Sequence, residues 1–171
     1  DGRIPAMVDF ENRSGCFWAG NAEMGLRRLY LEWLAERLGL DIAQRYSQDA
    51  YRQALLRASF GLSLFGNGYD TVRYWELPAH GCMLLSERPP IRIPNNFTDG
   101  VNAVFFDDLA DLEAKMRHYL AHPEEARAIA EAGHAHLRAH HTASARAREL
   151  LGHIERLAHR PGYSRGDATA R

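Results

Sequence analysis

Gly66-Asn67-Gly68-Tyr69-Asp70-Thr71-Val72-Arg73-Tyr74-Trp75-Glu76-Leu77-Pro78-Ala79-His80-Gly81-Cys82-Met83-Leu84-Leu85 runs from a glycine loop through a short helix carrying one carboxylate into an apolar strand. Gly66 and Gly68 allow a turn to take unusual backbone angles and to lie close against a ligand. Asp70 can cap the helix that follows, whose first amide groups lack internal partners and point outward with the positive end of the helix dipole. Such a terminus suits phosphate oxygens. Arg73, one turn in, offers a forked cation, and Glu76, almost two turns in, can accept hydrogen bonds from paired sugar hydroxyls. The same residues would also serve an ordinary strand-turn-helix with a surface Arg-Glu pair.

Working outward, strands and helices alternate. Upstream, Cys16 to Ala19 reads as a short strand. Asn21 is expected to cap a helix with Met24, Leu26, Leu29, Tyr30, Trp33, Leu34 and Leu38 at helical spacing, stopped by Gly39. Asp41 to Arg45 reads as a weak strand, Gln48 to Arg57 as a helix with Tyr51, Leu55 and Leu56 inward, and Phe60, Leu62 and Leu64 as a third strand. Downstream, Cys82 to Leu85 is a fourth strand. Three prolines between Glu87 and Asn96 mark an irregular stretch, and Ala103 to Phe106 is a further strand. Asp107 or Asp108, Pro123 and Thr142 then open three helices. This order predicts an α/β fold with a largely parallel sheet, helices on both faces and helices at the C-terminal end. Ligands of such sheets sit beyond the carboxyl ends of the strands, where the turns at Gly20 and Gly66 to Gly68 fall.

The run Asp70 to Glu76, then Ala79-His80-Gly81 and an apolar strand, resembles the donor-binding segment of group 1 glycosyltransferases of the GT-B fold, most closely the spore-maturation-type branch. Ordered matches continue at Asp99-Gly100, Asn102 to Phe106, His122-Pro123-Glu124-Glu125-Ala126-Arg127, Ile129 to Gly133, and His141-Thr142 with Arg146. Upstream, Phe17 to Asn21 with Arg27 and Arg28 is similar to that domain's first strand and phosphate-facing loop. The resemblance covers roughly residues 15 to 158 and implies a Rossmann-like, nucleotide-sugar-binding domain. Residues 1–14 are then a linker or incomplete element, and 159–171 a mobile tail.

The resemblance also implies roles. Glu76 matches the carboxylate that holds the donor ribose, and Gly20 and the Gly66 to Gly68 loop match diphosphate-facing backbone. Arg27 or Arg28 matches a basic phosphate contact. Asn21, Asn67, Tyr69, Asp70, Thr71 and Arg73 complete the expected donor site. Many retaining members carry a second glutamate eight residues before the ribose-binding one; this chain has Gly68 there. No catalytic nucleophile or base is therefore assigned. The expected reaction moves a sugar from a nucleoside-diphosphate donor such as a UDP or GDP sugar to an unidentified acceptor, with no cofactor and no metal ion. The acceptor domain is expected upstream, since the chain opens at Asp1 without an initiator methionine. A nucleotide-sugar epimerase and a non-catalytic binding module are the other readings.

Composition agrees. The chain has 171 residues, 46% hydrophobic and 25% charged, which suits one domain. Its formal charge of −1 gives no footprint for nucleic acid, and no apolar run reaches the roughly 20 residues needed to span a bilayer. Cys16 and Cys82 read as reduced structural thiols, which suits a cytoplasmic setting. Ala19 to Gly25 lacks the Gly-x-Gly-x-x-Gly spacing of dinucleotide sites, and no Ser-His-Asp elbow anchors hydrolase chemistry. In the fold that the chain resembles the stretch around Tyr46 faces the base, so Tyr46 is a candidate to stack there, with an ordinary half-buried tyrosine as the favoured reading; His80 is a candidate to face the donor, with a structural polar residue at a helix end favoured. His136 with His140, and His118 with His122, stand four apart, but neither pair has an evident third metal ligand, so solvated histidines are expected.

Overall fold

The computed structural model describes residues 4–5 and 8–159. Four strands, β1 (Cys16–Phe17), β2 (Phe60–Ser63), β3 (Met83–Glu87) and β4 (Val104–Phe106), form one parallel sheet in the order β1-β2-β3-β4. The helices are α1 (Arg27–Leu38), α2 (Gln48–Arg57), α3 (Val72–Ala79), α4 (Leu109–Ala121), α5 (Pro123–His140) and α6 (Ala143–Ala158). The expected α/β architecture with helices on both faces is the one observed.

Side-chain alternation explains the layers, because successive residues of a strand point to opposite faces. Phe60 and Leu62 of β2, Met83 and Leu85 of β3, and Val104 and Phe106 of β4 join Leu31 and Leu34 of α1, Leu112 and Met116 of α4, and Ala126 and Ala130 of α5 in one core. Leu84 and Phe105 point the other way, where Leu55 of α2, Tyr74 and Leu77 of α3, and Leu137 of α5 form the second core. Registers Phe60↔Met83, Gly61↔Leu84 and Leu85↔Val104 align the alternation across the sheet. Gly61 falls on the second face, where a Cβ would lie 2.1 Å from Leu77 Cδ2, so the missing side chain lets α3 sit directly on β2.

Local signals fix several helix ends. Gly39 closes α1 in the left-handed conformation at φ 66°, Asp108 accepts from the Asp111 amide, Thr142 accepts from the Ala145 amide, and Pro123 occupies the first turn of α5.

Three expectations are corrected. The Asn21 side chain accepts from the Glu23 amide in a tight bend, so α1 begins only at Arg27, behind Leu26. On that helix Leu31 and Leu34 are buried, whereas Leu26 and Leu29 face outward. Asp41 to Arg45 forms no strand; the Asp41 carboxylate accepts from the Ala43 amide and bends the chain.

Within residues 1–14, expected as a linker or incomplete element, Arg13 donates to the carbonyls of Leu55, Ala58 and His80 and touches Cys82 Sγ at 3.7 Å. Both cysteines are unpaired with each other, and burial pushes the Cys82 thiol up to about 12. The expected tail from 160 onward lies outside the described residues. No helix among the described residues is long and apolar enough to cross a membrane.

Candidate functional site: two cavities flanking helix α3

The turns that leave β1 and β2 at their carboxyl ends meet the first turn of α3. Together they line a cavity of about 460 Å³ that includes Gly20, Asn21, Arg27, Gly66, Asn67, Gly68, Asp70, Thr71 and Arg73. Nine of the expected residues are thus brought to one place. Trp18, Ala19, Met24 and Val72 complete its walls.

The cap of α3 is Thr71, not Asp70, and its side chain makes no capping bond to the helix. Thr71 Oγ1 instead lies 3.3 Å from Ser63 Oγ at the end of β2. The expected unusual glycine angles are absent, since Gly20, Gly66 and Gly68 all avoid positive φ. Their small size matters in two cases. A Cβ on Gly66 would lie 2.6 Å from Arg27 Nη2, and one on Gly20 would lie 3.3 Å from the Trp18 ring. At Gly68 nothing lies within 4 Å.

Two guanidinium groups reach this cavity, and both are also tied to the fold. Arg27 donates to the carbonyls of Phe65, Leu64 and Asn21, and so pins the glycine loop to the start of α1. Burial and the neighbouring Arg73 lower its pKa. Arg73 donates twice to the Ala19 carbonyl, at 2.8 and 2.5 Å, and its Nη1 reaches Tyr51 Oη and Glu76 Oε2. Two carboxylates stand by the loop, Asp70 in the cavity wall and Glu87 at the end of β3. The Glu87 carboxylate accepts from the Phe65 amide, and burial raises its pKa. Sequence reasoning missed Glu87, whose position at a strand end was read only as the start of an irregular stretch.

Glu76, Arg28 and Tyr69 stand apart from this cavity. Glu76 sits on the adjacent face of α3 and lines a second cavity of about 620 Å³ with Gln48, Tyr51, Arg52, Val72, Trp75, His80 and His141. Arg73 and Glu76, three residues apart, stand about 60° from each other around the axis and touch at 3.0 Å, so the two cavities meet along adjacent faces of α3 whose rotation is fixed by the buried Tyr74 and Leu77. Tyr51 donates to Glu76 Oε2 at 2.5 Å, so α2 and α3 jointly orient the carboxylate. Val72, 73% exposed, lines both cavities and forms the lip between them. Arg28 points to solvent and pairs with Glu23 and Glu32 at 3.3 and 2.7 Å. Tyr69 rests edge-on against Phe65.

Several residues were legible only in part. Tyr51 was expected to turn inward, and it does so against Phe17, but its hydroxyl turns to Glu76. Tyr46 packs near Phe17 and Tyr51 without lining either cavity. His80 is the C-cap of α3, its Nδ1 bonded to the Glu76 carbonyl, and it borders the second cavity. His141 packs against Trp75 with the rings tilted by 45° and centroids 4.6 Å apart, and donates from Nε2 to the Asn95 carbonyl, while its buried Nδ1 has no partner. Burial, with smaller contributions from Arg146, His136 and His140, lowers its pKa to about 4. His136 also donates to the Asn95 carbonyl.

Chemically, the first cavity presents backbone amides at a helix start and two fixed cations, a surface for a polyanion. The second presents aromatic walls and one oriented carboxylate, a surface for a ring system bearing hydroxyls. Among the curated proteins compared, none matches this chain. A family model described as "Glycosyl transferase-like" matches residues 14–152, from just ahead of β1 into α6, and so takes in every residue lining the first cavity and all but Ile4 of the second. The chain belongs to this glycosyltransferase-like family.

Proposed function

We propose that this domain binds a nucleoside-diphosphate sugar, with a UDP or GDP sugar as the expected class, and hands the glycosyl group to an acceptor held by a separate domain upstream. The reading refines the family's transferase chemistry to the donor-binding domain of a GT-B enzyme related to the spore-maturation-type branch. One observation supports it above others: a phosphate-suited cavity and a carboxylate-bearing aromatic cavity share Val72 across the first turn of α3. In this reading the nucleoside lies in the second cavity with its pentose hydroxyls on Glu76. The diphosphate crosses Val72 to the amides of α3 and the Gly66 to Gly68 turn.

As the sugar leaves, negative charge grows on the diphosphate. The helix start and the field of Arg27 and Arg73 stabilise that charge where it develops, a contribution that needs no metal ion. Arg73 acts on both sides of the lip. Its Nε and Nη2 hold the β1 turn, and Nη1 braces the Tyr51–Glu76 pair. Glu76 positions the donor and takes no part in bond breaking.

Titration calorimetry with uridine, guanosine and thymidine diphosphates tests the reading. One of them is expected to bind, and Glu76→Ala is expected to weaken it about tenfold to a hundredfold, the cost of one charged hydrogen-bond partner. Binding unaffected by Glu76→Ala would remove Glu76 from the site. Failure of all three diphosphates would remove the donor reading itself.

A further inference from the structure

We propose that His118, His122 and Glu125 form a surface site for a borderline divalent cation such as Zn²⁺ or Ni²⁺ at the corner between α4 and α5. The two histidines stand four apart, which alone offers two ligands. The structure adds the third. One potential ligand atom from each of the three residues lies within 4.8 Å of the other two.

The corner is built by the sequence His122-Pro123. A residue before proline is pushed out of helical angles, so α4 stops at Ala121 and His122 takes φ −126° and ψ 67°. Pro123 then starts α5 at once, and His122 serves as the last cap of one helix and the first of the next. Side chains in a helix lean toward its N-terminus, so Glu125, in the first turn of α5, tips back over the end of α4. Its Oε2 meets His118 Nε2 at 2.8 Å, and the rings of His118 and His122 stack with centroids 4.4 Å apart.

Orientation of the imidazoles favours metal binding. His122 Nδ1 donates to the His118 carbonyl at 2.8 Å, which leaves Nε2 as its unprotonated nitrogen. A backbone carbonyl fixing the tautomer from behind is the usual support for a metal-bound histidine. For an ion to seat between the residues, His118 Nε2 gives up its hydrogen bond to Glu125 and the ring binds as the tautomer with its single proton on Nδ1. With bonds of about 2.0–2.1 Å, ligand atoms on one tetrahedral ion stand roughly 3.3 Å apart, a small adjustment for exposed side chains. Two imidazoles and one carboxylate carry a single negative charge and leave a fourth position for water. This donor set suits Zn²⁺ and Ni²⁺ and disfavours Mg²⁺ and Ca²⁺, which prefer oxygen.

The bound ion would clip α4 to α5, two helices that cover the same face of the sheet through Leu112, Met116, Ala126 and Ala130. The site lies outside the residues lining either cavity, so its test is independent of donor binding. Tag-free protein stripped with a chelator is titrated with Zn²⁺, Ni²⁺ and Mg²⁺ by calorimetry, with thermal unfolding in parallel. One Zn²⁺ or Ni²⁺ per chain is expected, with negligible Mg²⁺. At a hundredfold excess over Kd, Zn²⁺ raises Tm by roughly 5–10 °C.

His118→Ala, His122→Ala and Glu125→Gln should each weaken binding by at least about tenfold, the smallest loss usual for disturbing a ligand shell. His136→Ala/His140→Ala, which removes the other histidine pair, should leave it unchanged. Circular dichroism of each variant checks that the exposed substitutions leave the fold intact. Absence of stoichiometric binding, or binding indifferent to His118, His122 and Glu125, would overturn the assignment.

Discussion

Helix α3 meets two contrasting neighbourhoods. Along its buried side, glycines are demanded by contact: a Cβ on Gly61 would press on Leu77, and one on Gly133 of α5 would stand 2.5 Å from the Asn102 carbonyl oxygen, beside Pro78. At its open tip, a Cβ on Gly68 would meet nothing within 4 Å, and Gly68 does not need left-handed backbone. The buried glycines are explained by the fold alone. Gly68 meets no such contact, and under the proposed function its bare surface would face the diphosphate.

Substitutions turn this contrast into measurements. The largest effect is expected for Gly133→Val, because a backbone oxygen cannot rotate away. We expect a loss of about 3 kcal/mol or more in chemical denaturation, despite the better helix propensity of most residues over glycine. A loss under 1 kcal/mol would mean that α5 has room to withdraw. Gly61→Ala should cost about 1–3 kcal/mol, since Leu77 is fully buried and has nowhere to turn. Adding Leu77→Ala should give a double variant more stable than the sum of the two single losses predicts, because the new methyl occupies part of the vacated space. Strict additivity would show that the two residues do not press on each other.

Gly68→Ala reverses the pattern. Stability should stay within about 0.5 kcal/mol, while nucleoside-diphosphate affinity drops roughly threefold to tenfold. Equal affinity would place the ligand away from the loop.

The smallest effect concerns protonation of His141. Its folded pKa is depressed to about 4, so between that value and the ordinary 6.5 the unfolded chain binds more protons than the folded one. The associated stability is therefore complete above about pH 6.5 and is lost as pH falls toward 4. Because the ring is only half-buried, a decrease in Tm of a few degrees from pH 7 to pH 5 is expected, and His141→Phe should reduce it. An unchanged slope in that variant would assign the pH dependence to other groups.

How much of this was legible depends on range along the chain. Strands β2 to β4 were readable because alternation is local and each face finds a core. The caps at Gly39, Asp108 and Thr142 were readable because the bonding partner lies within a few residues, and the start of α5 because proline suits a first turn whose amide needs no partner. The start of α1 was misread because Asn21 spends its side chain two residues on, in a bend. Asp41 to Arg45 failed as a strand because strand character needs a neighbour to pair with, and a weak pattern cannot supply one. The site was harder. Arg27 and Arg73, expected at the donor site, both line the first cavity, but spacing could not reveal that carbonyls of Leu64, Phe65 and Ala19 already hold them. Nor could spacing reveal that Glu76 lines the neighbouring cavity rather than the one with the glycine loop, or that a helix corner folds Glu125 over two histidines.

Arg13 carries a practical consequence. Its guanidinium sits where α2 and α3 both run out, among carbonyl oxygens of Leu55, Ala58 and His80 that carry the negative ends of those helices. A shortened chain beginning at Cys16 would strip the cation from this junction and leave the thiol of Cys82 without its charged neighbour. Anyone preparing the domain for crystals or binding work should therefore start it ahead of residue 8, even though the strands begin later.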